Sequence, residues 1–221
     1  MKKILIKIVL LLSVSTLYAD DTGTYNAGLK VGTLGVGFDI STPINSKYSL
    51  RFNLNAASHS QSDKENGNDY DGTLDLLNMG LILDYHPFEN NFRLSAGVYY
   101  NGNKFTGSAK PTDTETINID GVHYSQDDIS SLDAEVTFNT FSPYLGIGWG
   151  HGSYSKGWSL ALDLGLMYHG SGKVDLNADI IDQSLIEKLE ENLANEENEI
   201  NDLFSNTEFY PVVSVGINYT F

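Results

Sequence analysis

Three sets of residues in this chain have types and spacings that could do chemistry. Two His-Gly-Ser strings, His151-Gly152-Ser153 and His169-Gly170-Ser171, put an imidazole beside a hydroxyl. A histidine that takes a serine proton creates a nucleophile, so the strings suggest hydrolysis. No carboxylate is identified that would orient either ring, and glycine-rich turns commonly end in such polar residues. A second set, Asp175-Leu-Asn177-Ala-Asp179, alternates acid and amide as a calcium loop does. Ile180 stands where that loop needs glycine, and its closing glutamate is missing. Asn66, Asn68, Asp69 and Asp71 make a similar weak set. Loose divalent-cation binding by acidic segments is therefore the most that is expected. The five histidines are scattered without ligand spacing, so neither a metal site nor a cofactor is expected. The third set is Asp39, Arg51, Asp84, Arg93 and Asp163, five charges that stand among small residues.

Alternating segments position that third set. From Phe209 to Phe221, Val213, Val215, Ile217, Tyr219 and Phe221 fall on one face, and Ser214, Gly216, Asn218 and Thr220 on the other. Period two with one apolar side is a strand. The pattern recurs from Tyr48, from Leu77, from Phe92, from Phe141 and, most cleanly, from Trp158 to His169. A soluble sandwich buries its apolar face and exposes a charged one. Here the second face carries mostly Gly, Ser and Asn, and aromatics cluster at strand ends. That is the signature of a lipid-facing band with two girdles. The girdle residues are Tyr48, Tyr85, Phe92, Trp149, Trp158, Tyr168, Tyr219 and Phe221. The reading is an all-β protein: a transmembrane antiparallel up-and-down β-barrel of about eight strands.

Connections alternate in length. Pro43–Ser46, Pro87–Asn91 and His151–Gly157 are short, whereas Ser60–Gly72, Gly107–Asp133 and Gly170–Glu208 are long and acidic. Short turns belong on the periplasmic side and long loops outside. In the first segment the apolar parity flips at Gly32-Thr33, which marks a bulge or a turn. A turn there brings the strand count to an even eight. Asp120-Gly121 between β-type runs reads as a hairpin turn. Residues 183–204 break the pattern. Ile181, Leu185, Leu189, Leu193, Ile200 and Phe204 recur at about helical spacing, and Ser184 with Glu187 could form a capping box. One amphipathic helix is expected in the last long loop. It packs its stripe on the loops or covers the outer mouth.

Composition agrees. Residues 1–19 have the layout of a secretory signal peptide: Lys2 and Lys3, a short apolar run, and Leu17-Tyr18-Ala19 before Asp20. Residues 20–221 then form one barrel domain. The chain has no cysteine, which excludes a lipidated N-terminal Cys and thiolate metal sites. Loss of Lys2, Lys3 and Lys7 with the leader moves the net charge from −16 to −19. Such an acidic chain is unsuited to nucleic acid, whose phosphates need Lys and Arg.

The closing strand resembles that of bacterial outer-membrane β-barrels, whose terminal Phe is read by the barrel-assembly machinery. Lys30–Gly37, Asp84–Phe88 with Phe92–Gly97, Ser142–Gly150 and Tyr210–Gly216 together resemble small, largely uncharacterised outer-membrane β-barrel proteins of Gram-negative bacteria, and more loosely the porin-like small barrels. The resemblance implies fold and location and carries no catalytic residues. The His-Ser strings look similar to those of outer-membrane lipid A deacylases, but His151 falls in a short turn and His169 points inward by parity.

By parity, Asp39, Arg51, Asp84, Arg93 and Asp163 point into the lumen near its short-turn end. An eight-stranded lumen is just wide enough for side chains to fill. Opposite charges there should pair into a network that closes the barrel, since an unpaired buried charge is very costly. The expected role is structural or interactive and non-enzymatic, with acidic loops outside. A small-solute channel is the alternative, and a lipid-modifying hydrolase the second. Expected partners are membrane lipid and lipopolysaccharide.

Overall fold

The computed structural model describes residues 25–65, 68–112, 116–150, 156–204 and 207–221. The leader, His151–Ser153 and Asn66 lie outside them. The strands are β1 (Asn26–Gly32), β2 (Gly35–Pro43), β3 (Tyr48–Glu65), β4 (Asn68–Tyr85), β5 (Phe92–Asn101), β6 (Lys104–Lys110), β7 (Ile117–Ile119), β8 (Val122–Tyr124), β9 (Ile129–Thr137), β10 (Phe141–Trp149), β11 (Gly157–Tyr168), β12 (Lys173–Ile180) and β13 (Phe209–Thr220). A 3-10 turn, Gln183–Leu185, leads into helix α1 (Ile186–Phe204).

One sheet has eleven strands, more than the eight expected, and β7–β8 is a separate hairpin. The pairings run β1–β2–β3–β4–β5–β10–β11–β13 and return to β1, all antiparallel. Eight strands therefore close a ring. The other three continue ring strands past the rim. Asn78↔Asn101 and Asp75↔Lys104 lie in one unbroken register, so β5 and β6 form one long strand interrupted at Gly102 and Asn103. Tyr100↔Phe141 and Lys104↔Thr137 join β9 to β10 in the same way. Met167↔Tyr144 and Lys173↔Thr137 join β11 to β12 with a slip of one residue.

The parity flip at Gly32-Thr33 is a turn between two paired strands, with Gly32 opposite Gly35. The long acidic stretches are not loops. Ser60–Gly72 is the far part of the β3–β4 hairpin, which runs in unbroken register to Glu65↔Asn68. Gly107–Asp133 holds most of β6, the β7–β8 hairpin and the start of β9, and Gly170–Glu208 holds β12 and α1. These strands are polar on one face and carry charge, so their alternation reads as loop composition. Asp120 (φ 50°) and Gly121 (φ 75°) turn the β7–β8 hairpin. Both central residues at positive φ is the turn that matches strand twist.

Above the ring, β3, β4, β6, β9 and β12 form a five-stranded wall. Ile117, Ile119, Tyr124, Ile129 and Leu189 are buried together where α1 and the hairpin pack on it. Leu185 and Leu193 join them, whereas Ile181 is exposed. The helix stripe is thus mainly core. Asp182 caps the 3-10 turn that precedes the helix, accepting from the Ser184 amide.

Candidate functional site

Arg51, Asp84, Arg93 and Asp163 come from β3, β4, β5 and β11 and converge in the lumen. Each strand points alternate side chains inward, and these four residues take inward positions at matching height. Arg51 donates from Nε to Asp84 at 2.8 Å and from Nη2 at 3.0 Å, and its Nη1 lies 3.2 Å from Asp163. Arg93 donates to Asp163 at 2.6 Å and to the Gly150 carbonyl at 2.7 Å, with Asp84 3.5 Å from its Nε. Ser95 and Ser214 donate to Asp84 and Asp163. Two cations and two anions thus form one water-excluded set, and both arginines are at most 1% exposed. Asp39 does not join them through any of these contacts. It pairs with Lys30 at 3.0 Å, across β1 and β2. Sequence reasoning omitted Lys30, although its parity between the outward Leu29 and Val31 marks it as inward.

Beside this layer the lumen holds Tyr99 and Tyr144, edge to face at 5.4 Å, with Asn53 donating to the Tyr99 hydroxyl. Leu34, Ile82, Met167 and Val212 pack against them. Glycines make room: Gly148 lies against Arg93, and Gly146 and Gly165 lie against Tyr144. Small inward residues therefore mark where a neighbour's large side chain goes.

A serine-histidine pair lies at a place the sequence did not single out, and the His151 string falls outside the described residues. Ser49 Oγ lies 3.3 Å from His86 Nε2, and His86 Nδ1 lies 3.0 Å from the Asn90 carbonyl. Both side chains are buried at the turn end. His169 is buried edge-on between Phe138 and Tyr210. Asp175, Asn177 and Asp179 lie on a strand, so their alternation is sheet period rather than a calcium loop. Among the described residues no group of three or more His, Asp or Glu is placed to hold a metal.

Outside, Leu81, Leu83, Leu145, Leu160, Leu162, Leu164, Val213 and Val215 are exposed around the ring. Tyr48 stacks on Tyr85 at 5.0 Å, and Trp158 meets Tyr219, which meets Phe221. Phe92 and Trp149 are opposite each other near the same end. Tyr168 instead pairs with Phe209 at the other end, where Tyr100 meets Phe141. The aromatics thus form two rings that bound an apolar band.

The wall's two faces differ. One carries in-register polar rows, Ser62–Asp71–Ser108–Asp133–Asn177 and Ser60–Thr73–Thr106–Glu135–Asp175. These line a trough of about 420 Å³. The opposite face carries Leu74, Phe105, Val136 and Val174 in another row.

No known protein-family pattern matches this sequence, and no curated protein matches it. Solved structures do. Acinetobacter baumannii CarO2 superposes with a TM-score of 0.56 at 23% identity, over 90% of this chain and 98% of that one. Acinetobacter baumannii CarO gives 0.54 at 25% identity, over 89% and 97%. A major outer membrane protein from Thermus thermophilus is more remote, at 0.44 and 14% over 90% and 100%. In hydrocarbon every backbone group must be paired within the protein, and a closed ring of strands with an apolar girdled exterior meets that demand. This chain has the fold of a small outer-membrane β-barrel protein.

Proposed function

We propose that this protein acts through its outward-facing wall, as a non-enzymatic interaction protein that the barrel anchors. The observation that carries this reading is the filled lumen. Arg51, Arg93, Tyr99 and Tyr144 are all within 2% of complete burial and stand across the section. A solute passing through would have to separate buried ion pairs, which is costly in low dielectric. On this reading the short turns face the periplasm and the acidic wall faces outward, above the lipopolysaccharide that surrounds the band. β13, with its alternating apolar face, is the segment presented to the assembly machinery. Purified protein in planar bilayers should show no discrete conductance steps. Regular steps from the wild-type chain would overturn the proposal.

The channel alternative draws support from one observation. Asn26 Nδ2, Ser41 Oγ, Asn78 Oδ1 and Asn218 Nδ2 are buried without protein partners, and such groups are satisfied by water. Water held at these points is compatible with a closed barrel, because the charged layer still crosses the lumen.

A further inference from the structure

The wall has two lateral edges, and the fold treats them differently. At β12, α1 lies alongside: Glu197 accepts from the Leu176 amide at 2.7 Å and Asn201 from the Val174 amide at 2.9 Å. Helix side chains thus occupy the donors a foreign strand would need. The other edge is the far part of β3. Its pairing with β2 ends at Ala56↔Val36, while its pairing with β4 continues to Glu65. Among the described residues no strand lies on that side of residues 57–65.

The direction of the unpaired groups follows from the ladder. The Leu54 and Ala56 carbonyls point at Gly37 and Gly35 of β2, and the Gln61 carbonyl points toward Gly72 of β4. Alternation then sends the N–H and C=O of Ser58, Ser60 and Ser62 outward along the empty side. Sheet edges are normally blunted by bulges, proline or a cover. This stretch has no proline, keeps one register throughout and is exposed from Ala57 to Asp63.

We propose that this edge of β3 receives an extended, basic segment of a partner protein as an added strand. The proposal rests on the interaction reading above and names its site and partner chemistry. Strand addition supplies main-chain hydrogen bonds for affinity and alternate side chains for specificity. On one face the added strand would lie beside Ser58, Ser60 and Ser62, with Asp71 and Asp75 on the next strand. A second trough, of about 520 Å³, adjoins it at Ser62, Asp63, Asp69, Asp71 and Lys110. Lysine or arginine suits that face. On the other face lie His59 and Gln61, with the exposed Tyr70 and Leu74 behind them. Apolar side chains suit that one. A second copy of this acidic chain would instead bring carboxylates against carboxylates.

The test uses the full-length mature protein in detergent micelles and a short peptide that alternates lysine and valine. Binding should slow exchange of the Ser58, Ser60 and Ser62 amides and leave the Val174 and Leu176 amides unchanged. A peptide alternating glutamate and valine should not bind. Ser60→Pro removes one outward N–H without touching the β4 ladder, a position where edge strands tolerate proline. It should weaken binding about tenfold or more while heat-modifiable mobility on gels stays unchanged. Asp71→Asn with Asp75→Asn is the second variant and should weaken binding with backbone geometry intact. Equal binding of the two peptides, or full binding by Ser60→Pro, overturns the proposal. So does a peptide-independent dimer that Ser60→Pro abolishes, which would make a second copy the occupant. If the lysine peptide fails to bind while bilayers remain silent, the edge proposal falls and the wall reading stands. Conductance steps would remove the wall reading itself.

Discussion

Arg51 and Asp84 meet through two hydrogen bonds, at 2.8 and 3.0 Å, from adjacent strands, and neither side chain is more than 1% exposed. The pair is nearly water-free, so breaking one side is worse than removing both. Arg51→Met should cost about 3–5 kcal/mol because Asp84 is left charged and buried. Arg51→Met with Asp84→Leu should recover much of that loss. Urea unfolding in detergent, followed by the heat-modifiable gel shift, measures both. Equal loss in the single and double variants would contradict the network's role as a closure.

The apolar band predicts an asymmetry between two exposed leucines. Leu164 lies on the ring exterior and is 55% exposed, and Leu203 lies on α1 and is 74% exposed. Leu164→Arg should destabilise the barrel in bilayers by about 2–4 kcal/mol, the cost of a cation near the midplane. Leu203→Arg should change little, within about 0.5 kcal/mol, because water already covers it. Refolding yields into vesicles report the difference.

Two strand glycines should respond oppositely to a methyl group. A Cβ on Gly32 would fall on the Val213 carbonyl, so Gly32→Ala should cost about 1–3 kcal/mol. A Cβ on Gly72 would meet the Phe105 ring at 3.6 Å and the Gln61 carbonyl at 3.9 Å, both ordinary contacts, and should be tolerated within about 0.5 kcal/mol. Thermal melting of the two variants side by side decides this.

Helix α1 guards one edge of the wall. Glu197→Ala with Asn201→Ala should speed exchange at Val174 and Leu176 and lower wall stability by about 1 kcal/mol per lost bond. The barrel below should keep its gel mobility.

Asp128 lies in the turn before β9 and accepts from the Ser125 hydroxyl at 2.7 Å and the Ser125 amide at 2.8 Å. These bonds favour the carboxylate and hold its pKa below the ordinary 3.8. A depressed folded pKa gives stabilisation that is present above the ordinary value and lost as pH falls through the folded one. Amide protection at Ser125 should therefore persist at pH 5 and decay below about 4. Ser125→Ala removes the hydroxyl bond and keeps the amide one, so it should weaken that pH dependence without abolishing it.

How much of this was legible depended on what faced each strand. Where lipid covers one side, as from Trp158 to Tyr168, alternation is unmistakable, and parity alone assigned Arg51, Asp84, Arg93 and Asp163 to the interior. The wall strands were missed because neither face meets hydrocarbon. Asp69–Thr73 and Asp175–Asp179 then carry the composition of solvated loops although they are paired strands. Cross-ring partners were equally invisible. Nothing in the spacing says that Asp39 turns to Lys30, or that Ser49 lies beside His86.

The three long strands broken near the rim have a mechanical consequence. β6 and β9 inherit their hydrogen-bond alignment from β5 and β10, β12 follows β11 with a slip of one residue, and β3 and β4 pass the rim without interruption. The outer module is therefore not tethered by linkers. A pull on its tip is resisted in shear by the same ladders that form the membrane cylinder, so the module leans only if the cylinder leans with it.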